Sequence, residues 1–184
     1  MSKTWVVSDT HFGHLGMCRF LNDDGSKLRP WDNTEDMDEV LVNNWNSVVA
    51  DEDRVYHLGD VVINKKHLHT LYRLKGRKVL VKGNHDIFKL KDYTPHFDDI
   101  RAYVVKKTPQ GGKCILSHIP VHPESLGRFG LNIHGHLHSN LVRDKRGKAD
   151  TRYVNVSVEQ TNYFPILLQD AIARGTPQEI TFER

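Results

Sequence analysis

Short β-rich apolar runs recur along this chain, and ligand-type polar residues follow them. Thr4-Trp5-Val6-Val7-Ser8 stops at Asp9-Thr10-His11, and Arg54-Val55-Tyr56-His57-Leu58 stops at Gly59-Asp60. Lys78-Val79-Leu80-Val81 stops at Gly83-Asn84-His85-Asp86. Runs of this length, rich in β-branched residues and closed by glycine or carboxylate, predict buried strands. Further strands are predicted over 100–106, 113–117, 131–134 and 153–156, with a Pro- and Gly-containing turn at 108–112 joining the first two.

Elsewhere the spacing changes from two to three and four. Met37, Val40, Leu41, Trp45, Val48 and Val49 form one stripe, capped by Asn33 or Thr34 and acidic at Glu35 and Asp36. That pattern predicts an amphipathic helix with its dipole matched. A second helix is expected over 65–75, with Leu68, Leu71, Tyr72 and Leu74 inward, and a third over 166–174, with Pro165 opening it. Residues 13–33 carry Gly13, Gly16, Gly25 and Pro30 and read as a long irregular loop. Loops of that length in compact domains are usually functional. Strand and helix alternate in the first half, while the second is mostly strand. The expectation is an α/β fold with helices outside and two sheets face to face.

At 184 residues, one domain over 1–184 is expected. Lys plus Arg minus Asp plus Glu is 26 − 23 = +3, which gives only weak support to a nucleic-acid partner. The basic residues at 75–78 and 143–148 read first as solvated turns. Cys18 and Cys114 lie far apart and make no disulfide framework, which fits a reducing cytoplasm. The N-terminal apolar run is too short for a secretory signal, and no run approaches a membrane span. Histidine is the outlier, at 12 residues.

Five predicted strand ends carry such residues: Asp9 and His11, Asp60, Asn84 to Asp86, His118, and Gly135-His136-Leu137-His138. In an open α/β sheet, ligands bind beyond the carboxyl ends of the strands. Imidazole, carboxylate and amide oxygen together suit manganese, iron, zinc, nickel or cobalt better than calcium or magnesium alone. Two carboxylates and at least four histidines exceed one ion's needs, so two ions are the economical reading. In His134-Gly135-His136-Leu137-His138, three imidazoles alternate and share one face if extended. That stretch alone fits a metal, a pH switch or coincidence.

The ordered set D-x-H, G-D, G-N-H-D, H, G-H-x-H resembles the calcineurin-like metallophosphoesterase superfamily over residues 5 to about 140. SDTHFGH, NNWN before VYHLGD, and SHIP resemble a subgroup of small stand-alone bacterial and phage phosphoesterases. The resemblance implies a four-layer α/β/β/α sandwich holding two divalent metal ions. Manganese is the first choice, with nickel, iron, zinc, cobalt and magnesium as alternatives. It implies Asp9, His11 and His138 on one ion, Asp60 bridging, and Asn84, His118 and His136 on the other. His85 would face the scissile phosphate, and Asp86 would orient His85. His134, still on its strand, is left to packing or a supporting role.

The implied activity is hydrolysis of phosphodiesters of nucleotide-like or small organic phosphates, by attack of metal-bound hydroxide on phosphorus. A phosphomonoesterase or nucleotidase, a nuclease, and a non-catalytic scaffold are the alternatives. His14, Arg29 and His122 are candidate substrate contacts. Loop ordering, a structural salt bridge and loop packing are their respective competing readings. His57 is expected as a satisfied core histidine, with His67, His69 and His96 at the surface. Trp31, Phe12 and Tyr163 could stack on a base, though aromatic residues more often lie in the core. Oligomeric state is not legible.

Overall fold

The computed structural model describes residues 2–176; of the domain expected over 1–184, residues 1 and 177–184 lie outside them. The described residues form two sheets. The first contains β1 (Thr4–Val7), β2 (Arg54–His57), β3 (Arg77–Val81), β4 (Asp99–Arg101) and β9 (Ile166–Leu167). Its order is β4-β3-β2-β1-β9, parallel except for the antiparallel β9. The second contains β5 (Val104–Lys107), β6 (Lys113–Leu116), β7 (Leu131–His134) and β8 (Tyr153–Asn155), in that order. Only its β5 runs antiparallel.

Both faces of the first sheet are covered, which is why its strands read as continuous apolar runs. One face sends Val6, Tyr56, Leu58, Val79 and Val81 against Cys114, Leu116, Leu131, Ile133 and Val154 of the second sheet. Helix α4 (Leu168–Arg174) adds Leu168, Ala171 and Ile172 to that layer. The other face sends Trp5, Val7, Val55 and Leu80 against Met37, Leu41 and Trp45 of α1 (Thr34–Val48). The Asn33 side chain caps α1 by accepting the Asp36 N–H at 2.8 Å. Among the described residues, the outer face of the second sheet carries a small cluster, Ile115 and Tyr153 with Leu126 of the four-residue α3 (Pro123–Leu126). Helix α2 (Leu90–Tyr93) completes the α-helices among the described residues.

Three expectations change. The segment over 65–75 is a 3-10 helix, Lys65–Arg73, in which Leu68 and Leu71, with Leu74 just after its end, are buried at three-residue spacing while Tyr72 is 69% exposed. Residues at i and i+3 eclipse in a 3-10 helix, so Tyr72 falls off the inward face and packs at a tilt against the His96 ring instead, centroids 4.3 Å apart. The strand expected over 100–106 is two strands, because the chain leaves β4 and joins the other sheet as β5 after Ala102-Tyr103. Pro165 opens a strand, since Ile166 and Leu167 pair with Val6 and Trp5 before α4 begins. A proline, with no N–H to donate, suits that edge position.

Candidate metal centre

Strands β1, β2 and β3 run parallel, so Asp9, Asp60 and Asn84 follow their carboxyl ends at one edge. Strands β6 and β7 deliver His118 and then His136 and His138 at theirs. The two edges meet. Asp9, His11 and His138 each place a ligand-type atom within 4.8 Å of the others, and so do Asp60, His118 and His136. Asp60 lies between the sets, its Oδ2 at 3.6 Å from His11 Nε2 and 3.4 Å from His118 Nε2. Asn84 Oδ1 stands 2.9 Å from the same His118 nitrogen. Each set draws residues from both sheets.

Close backbone approach makes this meeting possible. A Cβ on Gly83 would lie 2.2 Å from Asp60 Oδ1, and one on Gly135 would lie 2.0 Å from Ser8 Oγ. Only glycine fits at either position. Asp9 (φ 60°), His11 (φ 50°), Asp60 (φ 57°), His136 (φ 70°) and His138 (φ 50°) all occupy the left-handed region. Such strain in non-glycine residues persists only where surroundings over-determine it, and it gathers at functional sites.

The unpaired atoms point to a cation. Asp9 Oδ1 and both ring nitrogens of His11 are buried without a hydrogen-bond partner among the described residues. His118 donates its Nδ1–H to the Leu58 carbonyl at 2.8 Å, so its Nε2 faces the Asn84 and Asp60 oxygens. Two acceptors around that nitrogen require positive charge, from a proton or a metal ion. Burial, helped by Arg29 and His138, drives His11 well below the ordinary histidine pKa, which leaves one ring nitrogen with a lone pair free for a metal. Burial opposes charge on Asp60, yet His118 holds it below the ordinary carboxylate range. Burial raises Asp9 despite nearby His138 and His118. The donor set fits divalent ions in two adjoining positions.

His85 is exposed beside this cluster, its ring 5.7 Å from that of His11 and its N–H on Asp60 Oδ1 at 2.9 Å. Asp86 does not hydrogen-bond the His85 ring. Its carboxylate accepts the N–H groups of Asp60, Val61 and Gly83 at 2.8, 3.1 and 2.8 Å, tying the β2 and β3 turns together. His14 lies next to the cluster, its ring 5.6 Å from that of His11. His122 is exposed and caps α3 by accepting the Glu124 N–H. His134 is buried, its Nδ1 bonded to the Gly135 carbonyl.

Of the two readings of Arg29, phosphate contact and structural salt bridge, the structure carries the second: the residue is fully buried at 0% exposure and paired with Glu159. It donates to the Asp9 and Thr10 carbonyls at 2.5 and 2.8 Å and to Glu159 Oε1 at 2.8 Å. The same Glu159 oxygen accepts His138 Nδ1–H at 3.2 Å, and Ser157 Oγ donates to Asp9 Oδ2 at 2.9 Å. Glu159 and Ser157 were missed. Their signal was available, because they follow β8 as the other site residues follow their strands.

His57 is the expected core histidine: Nδ1 accepts the Gly59 N–H and Nε2–H reaches Thr10 Oγ1. Burial pushes its pKa down to about 3 from an ordinary 6.5. The unfolded chain therefore protonates there first. Stability from this group is complete above pH 6.5 and drains as pH falls toward about 3, at up to roughly 1.4 kcal/mol per pH unit. Urea unfolding of metal-free protein across that window checks it, and His57→Gln flattens that part of the profile.

Two separate clefts reach the cluster. One, of about 590 Å³, runs from His136 and His138 to the 20–24 loop and to Ser139 and Asn140. The other, of about 390 Å³, runs from Asn84 and His118 to Lys82, Tyr103 and Ile119.

Fold and site together define an α/β protein with two adjoining candidate metal-ligand sets where two sheet edges meet. The chain belongs to the family of MJ1445, an uncharacterised protein of Methanocaldococcus jannaschii. The two are 35% identical over 178 residues, covering 91% of this chain and 88% of that protein. The gene 66 protein of Mycobacterium phage L5 is 37% identical over 190 residues, covering 86% and 87%. The crystal structure of AQ665, a protein of unknown function from Aquifex aeolicus, shares the fold at a TM-score of 0.67. It is 26% identical over 94% of this chain and 99% of that one. No family model matches the chain. Among the described residues, no helix is long and apolar enough to cross a membrane.

Proposed function

We propose that this protein is a metal-dependent hydrolase of the calcineurin-like metallophosphoesterase kind, with the two sheets as the middle of a four-layer α/β/β/α sandwich. It acts on phosphodiesters of nucleotide-like or small organic phosphates, in a reducing cytoplasm. One observation carries the reading: two largely buried ligand sets, each with a half-buried histidine at its open side, share Asp60 as their common wall. Two divalent ions held there, manganese first among them, would supply an activated water and offset charge developing on the phosphate oxygens.

The chain's own residues then have distinct tasks. Asp9, His11 and His138 hold one position and Asn84, His118 and His136 the other, with Asp60 common to both. His85, exposed beside the cluster, donates a proton to the departing oxygen. Asp86 keeps the His85 turn locked to the Asp60 turn through backbone N–H groups. The two clefts favour a diester over a monoester, because a diester has an organic arm on each side of phosphorus.

The test uses metal-stripped protein assayed on bis-p-nitrophenyl phosphate and p-nitrophenyl phosphate, with manganese, nickel, cobalt, zinc or magnesium restored singly. Turnover of the diester with manganese, well above that of the monoester, is the expected result. His85→Ala should retain its metals by elemental analysis while turnover falls about 10²–10⁴-fold. Empty sites in that variant would overturn the role given to His85.

A further inference from the structure

The two clefts are chemically unlike. The larger has Phe20 and Leu21 at its mouth, 50% and 63% exposed, with the Asp23 and Asp24 carboxylates on the same loop. Its opposite wall offers the polar groups of Ser139 and Asn140, and Ser139 Oγ donates across to Asn22 Oδ1 at 2.7 Å. That hydrogen bond holds the walls together. Beyond the His136 and His138 end, a polyanion entering there would meet two carboxylates and no lysine or arginine side chain along this lining. The smaller cleft carries the reverse sign. Lys82 lines it, and its ammonium has no hydrogen-bond or ion-pair partner among the described residues. Tyr103 and Ile119, 56% and 53% exposed, supply a flat apolar wall beside Asn84 and His118.

Exposed apolar side chains gathered at a concave site mark binding surfaces. Here they occur twice, each next to a different part of the ligand cluster. We propose that the clefts are subsites for the two arms of a small, asymmetric phosphodiester. The Phe20 cleft takes an arm that is uncharged or cationic. The Lys82–Tyr103 cleft takes a flat arm that tolerates or carries negative charge. This rests on the phosphoesterase reading and sharpens it, because nucleic acid would place a charged backbone along the acidic lip of the larger cleft.

Steady-state kinetics on manganese-loaded protein test this. The probes are bis-p-nitrophenyl phosphate, p-nitrophenyl phosphate and p-nitrophenylphosphorylcholine, whose choline arm is cationic. Phe20→Ala and Tyr103→Ala should each raise KM for bis-p-nitrophenyl phosphate about fivefold to tenfold, with a smaller change in kcat, as expected for lost apolar contact. Asp23→Asn with Asp24→Asn should lower the kcat/KM ratio of the choline ester over the bis-aryl ester about fivefold or more. Both carboxyl-to-amide changes preserve shape, and circular dichroism with metal analysis verifies folded, loaded protein. Unchanged KM in both Phe20→Ala and Tyr103→Ala overturns the subsites. An unchanged ester ratio in the double variant overturns the charge assignment. Failure of loaded wild type to hydrolyse any of the three esters overturns the phosphoesterase reading itself, a result distinct from both.

Discussion

Asp60→Ala should abolish turnover and metal retention together, with a loss on the order of 10³-fold or more in rate. Asp60 is 2% exposed, and its Oδ2 faces one histidine of each ligand set, so removing it opens both sets at once. It also accepts the His85 N–H, so the neighbouring turn loosens too. Elemental analysis after dialysis, beside the diester assay, gives both quantities. Full metal content in folded Asp60→Ala would show that the two sets do not share this carboxylate. Asp60→Asn is the companion variant: it keeps the shape and weakens the charge that draws in cations.

Glu159→Ala should be the most destabilising single change near the site. Glu159 is buried between the Arg29 guanidinium and His138, and Arg29 is fully buried beneath the Asp9–Thr10 turn. Burial opposes the charge on Glu159, but Arg29 and His138 hold its carboxyl below the ordinary range. Removing it strands a buried guanidinium, a change that costs about 3–5 kcal/mol. It also frees the Nδ1 side of His138, which should weaken metal binding at the Asp9–His11–His138 set about 10–100-fold. Urea unfolding of the metal-free protein reads the first effect and metal titration reads the second. Glu159→Gln retains an acceptor for His138 and loses the ion pair, so it separates the two. An unaltered unfolding midpoint in Glu159→Ala would contradict the pairing described.

The site was more legible in the sequence than the support beneath it. Asp9, His11, Asp60, His118, His136 and His138 stand directly after apolar runs, and period and punctuation locate such positions. Arg29 was not legible as a buried residue, because its partners lie up to 130 positions away and no local pattern records them. Helix α1 was readable down to a cap at Asn33 or Thr34, of which the structure uses Asn33, because cap, dipole and stripe are all local. The split between β4 and β5 was not, because alternation is the same whichever sheet a strand joins. Tyr72 was misplaced for a similar reason: spacing of three and four does not distinguish an α-helix from a 3-10 helix over nine residues.

Each candidate ligand set takes residues from both sheets, so an ion held in either position would clasp one sheet to the other. Ligand binding confined to the native state adds stability in proportion to the logarithm of ligand concentration over its dissociation constant. The cell's free-metal level would then govern the lifetime of this protein as well as its rate. Chains made during metal starvation would lack the clasp and fall first to proteolysis, and copies already loaded would outlast them.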